Sequence, residues 1–286
     1  MRRLDRAFAV LALLVSPSVA AAQPVIVAAE NFYGDVARQI AGPAARVVSI
    51  LNNPDQDPHL FEASPSAARA IAAARIVIYN GLGYDPWIEK LLHAAGGGDR
   101  KAIVVAELTG GKPGDNPHLW YAPGTMPALA TALADALGEI DPAHRADYRR
   151  RLATFRHSLA PIDATIADMR QRFSGAPVAA TEPVFGPMLT ALGLQVRDDR
   201  FQRAVMNGTE PSASAIAGFE DDLKNRRVKL LIYNRQVNEP VARRMVGIAE
   251  AASVPVVPVS ETEPPDQSYQ NWIGEELDAL HRALAR

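Results

Sequence analysis

The sequence predicts two α/β lobes, each a mainly parallel sheet flanked by helices, joined by one long helix. Three observations carry this prediction. Short continuous apolar runs alternate with helical segments in the first part of the 286-residue chain, the pattern of parallel strands covered on both faces. An apolar stripe of helical spacing then interrupts that rhythm. Finally the strand and helix alternation restarts, and the total length suits two modest domains, each able to bury a core.

Residues 25–29 read as a buried strand, 31–40 as the following helix and 47–50 as the next short apolar run. A helix over 65–73 leads to a strand over 75–79, and a helix over 87–95 leads to a strand over 101–105. From 142 to 173 the residues Leu152, Phe155, Leu159, Ile162, Ile166, Met169 and Phe173 form one stripe along a long helix. Pro161 sits inside that stripe and bends or divides it. Beyond it come a strand over 177–181, a helix through Met188 and Leu192, a strand over 228–233, a helix over 239–251 and a strand over 254–259. The implied division is a signal peptide at 1–22, an N-terminal α/β lobe at 23–141, a connecting helix at 142–174 and a C-terminal α/β lobe at 175–286. A single doubly wound domain with a helical insertion is the competing arrangement.

The first residues address the chain for export. Met1-Arg2-Arg3, the apolar run 8–15 and the alanines at 20–22 have the charged, apolar and small-residue regions of a secretory signal peptide, with cleavage expected after Ala22. The apolar run is too short to span a bilayer. No cysteine is present to carry a lipid, so the mature protein is expected to be soluble and periplasmic. Thirty basic residues face 32 acidic ones without a long block of either sign, which argues against a nucleic-acid partner. Without cysteine, any metal site must be built from nitrogen and oxygen donors.

His59, in Asp57-Pro58-His59-Leu60, follows a predicted strand and precedes a helix. That places it at the carboxyl edge of the sheet, where open α/β sheets bind ligands. His118, in Asn116-Pro117-His118-Leu119, repeats the same Pro-His-Leu turn. Taken singly, each reads as a surface or supporting histidine; as a matched pair they become candidate imidazole donors. His93, His144, His157 and His281 fall in polar helical stretches and should face solvent. Glu182 directly follows the first strand of the second lobe and reads equally as a helix cap or a donor. Glu261 and Glu263 follow the last strand, and Glu210 reads first as a helix entry. Two imidazoles from one lobe and two carboxylates from the other would surround a divalent ion in the cleft.

With these residues in place, the chain resembles the cluster A-I, or cluster 9, substrate-binding proteins of zinc and manganese ABC transporters. The resemblance runs over nearly the whole mature chain. Asp57-Pro58-His59 with Phe61-Glu62-Ala63-Ser64-Pro65 is similar to the family's first ligand loop, and Asn116-Pro117-His118-Leu119-Trp120 to its second. Asn80-Gly81-Leu82-Gly83-Tyr84-Asp85-Pro86-Trp87 resembles the segment lining the first lobe, and 142–173 the rigid connecting helix. The resemblance implies a metal set of His59, His118, Glu182 and Glu261. Glu182 stands where zinc-preferring members usually have histidine and manganese-type members glutamate. Glu261 stands where aspartate is common, and Glu263 is near enough to exchange with it. Glu210-Pro211-Ser212 resembles a structural helix start, and no histidine-rich loop occurs near 108–117.

The implied function is capture of one zinc or manganese ion as cargo and its delivery to an ABC transporter membrane permease, by a monomer that is not an enzyme. Two other classes compete with it. A metal-dependent hydrolase would need an open coordination position, and the chain has no His-Glu-x-x-His helix or nucleophile elbow. An adhesion or scaffold protein would use the lobes only as a rigid surface.

Overall fold

The computed structural model describes residues 23–53, 61–96, 98–236 and 239–286. The expected signal peptide and His59 lie outside these described residues.

In the first lobe, Val25–Glu30 (β1), Arg46–Leu51 (β2), Ile76–Tyr79 (β3) and Lys101–Val104 (β4) form a parallel sheet in the order β2-β1-β3-β4. Its helices are Asn31–Ala41 (α1), Pro65–Ala73 (α2), Pro86–Ala94 (α3), Val105–Thr109 (α4) and Thr125–Ile140 (α5). The alternation along β1 sorts them into layers. Ile26 and Ala28 join the cluster containing Phe32 and Leu129 of α1 and α5, whereas Val27 and Ala29 join Ile71 and Ile88 of α2 and α3. Ser64 starts α2 by accepting the Ala67 amide hydrogen at 3.2 Å, with Pro65 at the first helical position.

Helix α5 is absent from the predicted elements. Met126, Leu129, Ala130, Leu133 and Leu137 are all buried along it, and its alanines leave little polar contrast from which to read a period.

The expected long connection consists of two helices, Arg145–Ser158 (α6) and Ala160–Phe173 (α7). Pro161 marks the division: it lacks an amide hydrogen and is tolerated in the first turn of α7.

The second lobe contains Pro177–Ala180 (β5), Gln195–Val196 (β6), Leu231–Asn234 (β7) and Val256–Val259 (β8), again parallel, in the order β6-β5-β7-β8. Its helices are Gly186–Ala191 (α8), Asp199–Met206 (α9), Ala213–Lys224 (α10), Pro240–Ala251 (α11) and Tyr269–Leu284 (α12). The two sheets therefore repeat one topology. Pro258 lies on the edge strand β8, where a missing donor leaves no ladder bond unmade.

The lobes do not have wholly separate cores. The largest buried cluster runs from Ile26 through Trp120 and Phe185 to Leu284. Phe32 and Trp120 have ring centroids 4.5 Å apart, Tyr121 and Phe185 4.7 Å, and Tyr121 and Trp272 5.5 Å. This aromatic column, built from α1, the turn at 119–121, α8's entry and α12, ties one lobe to the other. Among the described residues no helix is long and apolar enough to cross a membrane.

Candidate metal centre

Parallel strands deliver their following loops to one edge of a sheet, so the residues just past β5, β7 and β8 must gather there. They do: Glu182 follows β5, Asn234 ends β7 and Glu261 lies two residues past β8, and all three are buried. Because β7 lies between β5 and β8 in the sheet, Asn234 stands between the two carboxylates. Its Nδ2 donates to Glu182 Oε2 at 2.6 Å and to Glu261 Oε1 at 2.7 Å. The backbone amide of Gln236 donates to Asn234 Oδ1 at 3.1 Å, which fixes the amide with its hydrogens toward the carboxylates. Gln236 Oε1 also accepts the Glu261 amide hydrogen, and its Nε2 donates to Thr262 Oγ1 at 3.0 Å.

His118 approaches from the first lobe and is only 1% exposed; the other described histidines are not buried. Asn80, just past β3, positions its loop by donating from Nδ2 to the Pro117 carbonyl at 2.8 Å, while Tyr33 donates to Asn80 Oδ1. Asn116 Oδ1 accepts the His118 amide hydrogen at 3.0 Å and lies 2.7 Å from His118 Nδ1. Asn116 Nδ2 donates across the lobes to the Pro183 carbonyl at 2.7 Å, so its oxygen must face the ring. The Nδ1 hydrogen is thereby held on Asn116, and Nε2 points its lone pair inward.

His118 Nε2 stands 3.3 Å from Glu261 Oε2, which also accepts the Tyr84 hydroxyl hydrogen at 3.2 Å. Two electron-rich atoms at that spacing require a proton or a cation between them. Donors about 2.0 Å from one tetrahedral ion are themselves about 3.3 Å apart. The described residues contain no group of three His, Asp or Glu side chains closed around a single point; Glu182 joins the pair through Asn234.

Glu263 faces elsewhere. Its backbone amide donates to Asn31 Oδ1 at 3.2 Å and its carbonyl accepts from Asn31 Nδ2 at 2.6 Å, which clamps that residue onto α1. Burial, with Asp35 adding repulsion, pushes its carboxyl up to about 9. Glu210 is exposed, and Ser212 caps α10 by accepting the Ala215 amide hydrogen. Burial also raises the nearby acids. Burial raises Asp85 to about 6 against the amides of Gly81 and Asn80, and raises Glu30 strongly with the help of Asp85. Burial lifts Glu276 to about 8 despite hydrogen bonds from Tyr121, Trp272 and Ser260.

Asn234, Gln236, Asn116 and Asn31 were not picked out as site residues from the sequence. Asn234 carried a usable signal, since it ends an apolar run at the same sheet edge as Glu182. Asn31 carried none, because its partner is 232 residues away.

Comparison with known proteins agrees with this architecture. TroA, the periplasmic zinc-binding protein of Treponema pallidum, superposes with a TM-score of 0.78 at 17% identity, over 92% of this chain and 100% of that one. The manganese ABC transporter substrate-binding lipoprotein PsaA of Streptococcus mitis is 21% identical over 285 residues, 91% of this chain and 89% of PsaA. The protein of the same description from Streptococcus pneumoniae is 23% identical over 251 residues, 81% of this chain and 77% of that one. Residues 26–283 match the family described as ZnuA, zinc-uptake complex component A, periplasmic, and the chain belongs to that family of metal-binding ABC-transporter substrate-binding proteins.

Proposed function

We propose that the protein captures one divalent transition-metal ion, zinc or manganese, between its lobes and presents it in the periplasm to the membrane permease of an ABC transporter. His118, Glu182 and Glu261 bind the ion together with His59, which lies outside the described residues. The carrying observation is the 3.3 Å approach of His118 Nε2 to Glu261 Oε2, with the Nδ1 hydrogen already committed to Asn116. A lone pair so aimed at a buried carboxylate is a half-built cation site. The names of the zinc and manganese proteins it is similar to support the same reading.

The protein acts as a monomeric binding protein rather than an enzyme, since four protein donors leave little room for a substrate beside the ion. Calorimetry on metal-stripped protein tests the proposal. Stoichiometric binding of zinc or manganese is expected, lost on His118→Ala or His59→Ala and retained on replacing His93, His144, His157 or His281. Binding of neither ion would end this reading.

A further inference from the structure

We infer that Asn31, the first residue of α1, is a positioning residue for Glu261, so that a side chain of the first lobe sets where a carboxylate of the second meets the ion. The inference rests on the metal-binding reading above. Asn31 holds Glu263 as a neighbouring strand would. Its Nδ2 donates to the Glu263 carbonyl at 2.6 Å and its Oδ1 accepts the Glu263 amide hydrogen at 3.2 Å. One planar amide thus engages both backbone groups of a single residue, which fixes the position and the orientation of the chain at that point.

Glu263 is two residues past Glu261, and the backbone between them has little freedom. Ser260 Oγ donates to the Thr262 carbonyl at 3.0 Å, closing the turn on itself. Thr262 is buried, and its hydroxyl accepts from Gln236 Nε2 at 3.0 Å. Strand β8 anchors the start of this turn and Asn31 its end, with Glu261 between the two. Asn234 and Gln236 hold Glu261 from its own lobe. Asn31 supplies the backbone attachment to the lobe that carries His118.

The sequence places Asn31 for this task. It begins α1 directly after β1, and Asp35 and Gln39 follow at four-residue spacing on the same helix face. Asp35 Oδ2 accepts the Tyr269 amide hydrogen at 3.0 Å, and Gln39 and Gln270 exchange side-chain hydrogen bonds at 2.9 and 3.0 Å. This row lays residues 263–270 along α1, and Asn31 grips the end next to the metal donor. Loosening the row at Asn31 frees Glu261 to shift, whereas loosening it at Gln39 leaves Glu261 in place. The effect belongs mainly to the dissociation rate, as for most changes of affinity at a formed site.

The test uses the full mature protein, zinc for the rates, and cobalt(II) as a probe whose visible absorption bands report ligand geometry. Asn31→Leu removes both bonds at similar bulk, and Asn31→Ala removes them at smaller bulk. Gln39→Leu removes the Gln270 pair and controls for general weakening of the row. Zinc is expected to leave both Asn31 variants at least about tenfold faster than the parent, with altered cobalt bands. Gln39→Leu should keep the parent rate and bands. Parent behaviour in the Asn31 variants, or equal changes in Gln39→Leu, overturns the inference while leaving the metal site intact. The parent gives an independent measurement if the variants fail to fold. Because coupling is reciprocal, zinc should slow hydrogen exchange at the Glu263 amide by at least about tenfold, and unchanged exchange overturns the inference. A parent that binds neither zinc nor cobalt overturns the metal-binding reading itself.

Discussion

Asn116 donates from Nδ2 to the carbonyl of Pro183, 67 residues further along and in the other lobe, at 2.7 Å. The same side chain holds the His118 ring through its oxygen at 2.7 Å. One amide thus couples the orientation of the first-lobe imidazole to the position of the loop that carries Glu182. Replacing it by leucine removes both bonds while keeping similar bulk. Asn116→Leu is expected to weaken zinc binding by about 10- to 100-fold, the usual effect of losing the group behind a ligating histidine. Competition titration measures this, and an unchanged affinity would show that Asn116 does not orient the ring.

Gly186 makes that contact possible. A β-carbon at this position would lie 2.7 Å from Asn116 Nδ2, closer than such atoms approach. Gly186→Ala should therefore displace Asn116 and reduce zinc affinity severalfold. In an Asn116→Leu background the further loss should shrink, because contacting residues do not act additively. The four proteins of that cycle, titrated side by side, decide it; full additivity would exclude the coupling.

Tyr121 offers one hydroxyl hydrogen to two acceptors, the Ser260 carbonyl at 2.6 Å and Glu276 Oε2 at 2.7 Å. A protonated Glu276 satisfies both, by donating to Tyr121 while Tyr121 donates to Ser260. Burial indeed raises Glu276 to about 8. Since the unfolded carboxyl loses its proton near its ordinary value, the folded state binds the extra proton between about pH 4.5 and about 8. Stability falls as pH rises through that window. Glu276→Gln imitates the protonated form and should stabilise the metal-free protein on the order of 2 kcal/mol at pH 8, with the advantage vanishing toward pH 4.5. Denaturant titration across that range tests it; a gap independent of pH would mean that Glu276 does not carry the proton.

Exchange of the second-lobe carboxylate for an imidazole should move the metal preference toward zinc. Glu182→His is expected to raise the zinc-to-manganese affinity ratio by at least about tenfold, roughly 1.4 kcal/mol. Parallel competition titrations on parent and variant measure it. An unchanged ratio would mean that Glu182 does not touch the ion.

The outline of this protein was legible in its sequence because parallel strands are continuous apolar runs and their ends lie at one edge. That logic put Glu182, Glu261 and Glu263 at the sheet edge without tertiary information, while His118 was singled out by its repeated Pro-His-Leu turn rather than by a strand end. It failed for α5, whose alanines blur the helical period, and for the continuity of the core between lobes. Asn234 was passed over although it occupies the same edge, since an amide has no charge to attract notice until the neighbouring strands are known. Glu261 and Glu263 could not be separated by spacing alone. Their difference comes from Asn31, which clamps the backbone of Glu263 on α1, more than 200 residues away along the chain.

The aromatic column has a consequence for how the chain acquires its structure. Phe32, synthesised early, packs with Trp272 of the final helix, their ring centroids 6.0 Å apart. Helix α12 also touches α1 and α7, and the Tyr269 amide donates to Asp35 on α1 at 3.0 Å. The earliest lobe is therefore completed by the last residues to be made. A chain passing through a membrane from its N-terminus would present this seam unfilled until its C-terminal segment arrived, and its contacts of high sequence separation would form late and together. Completion of the first lobe's core thus depends on the last helix, and the contacts that join the two lobes are expected to form together.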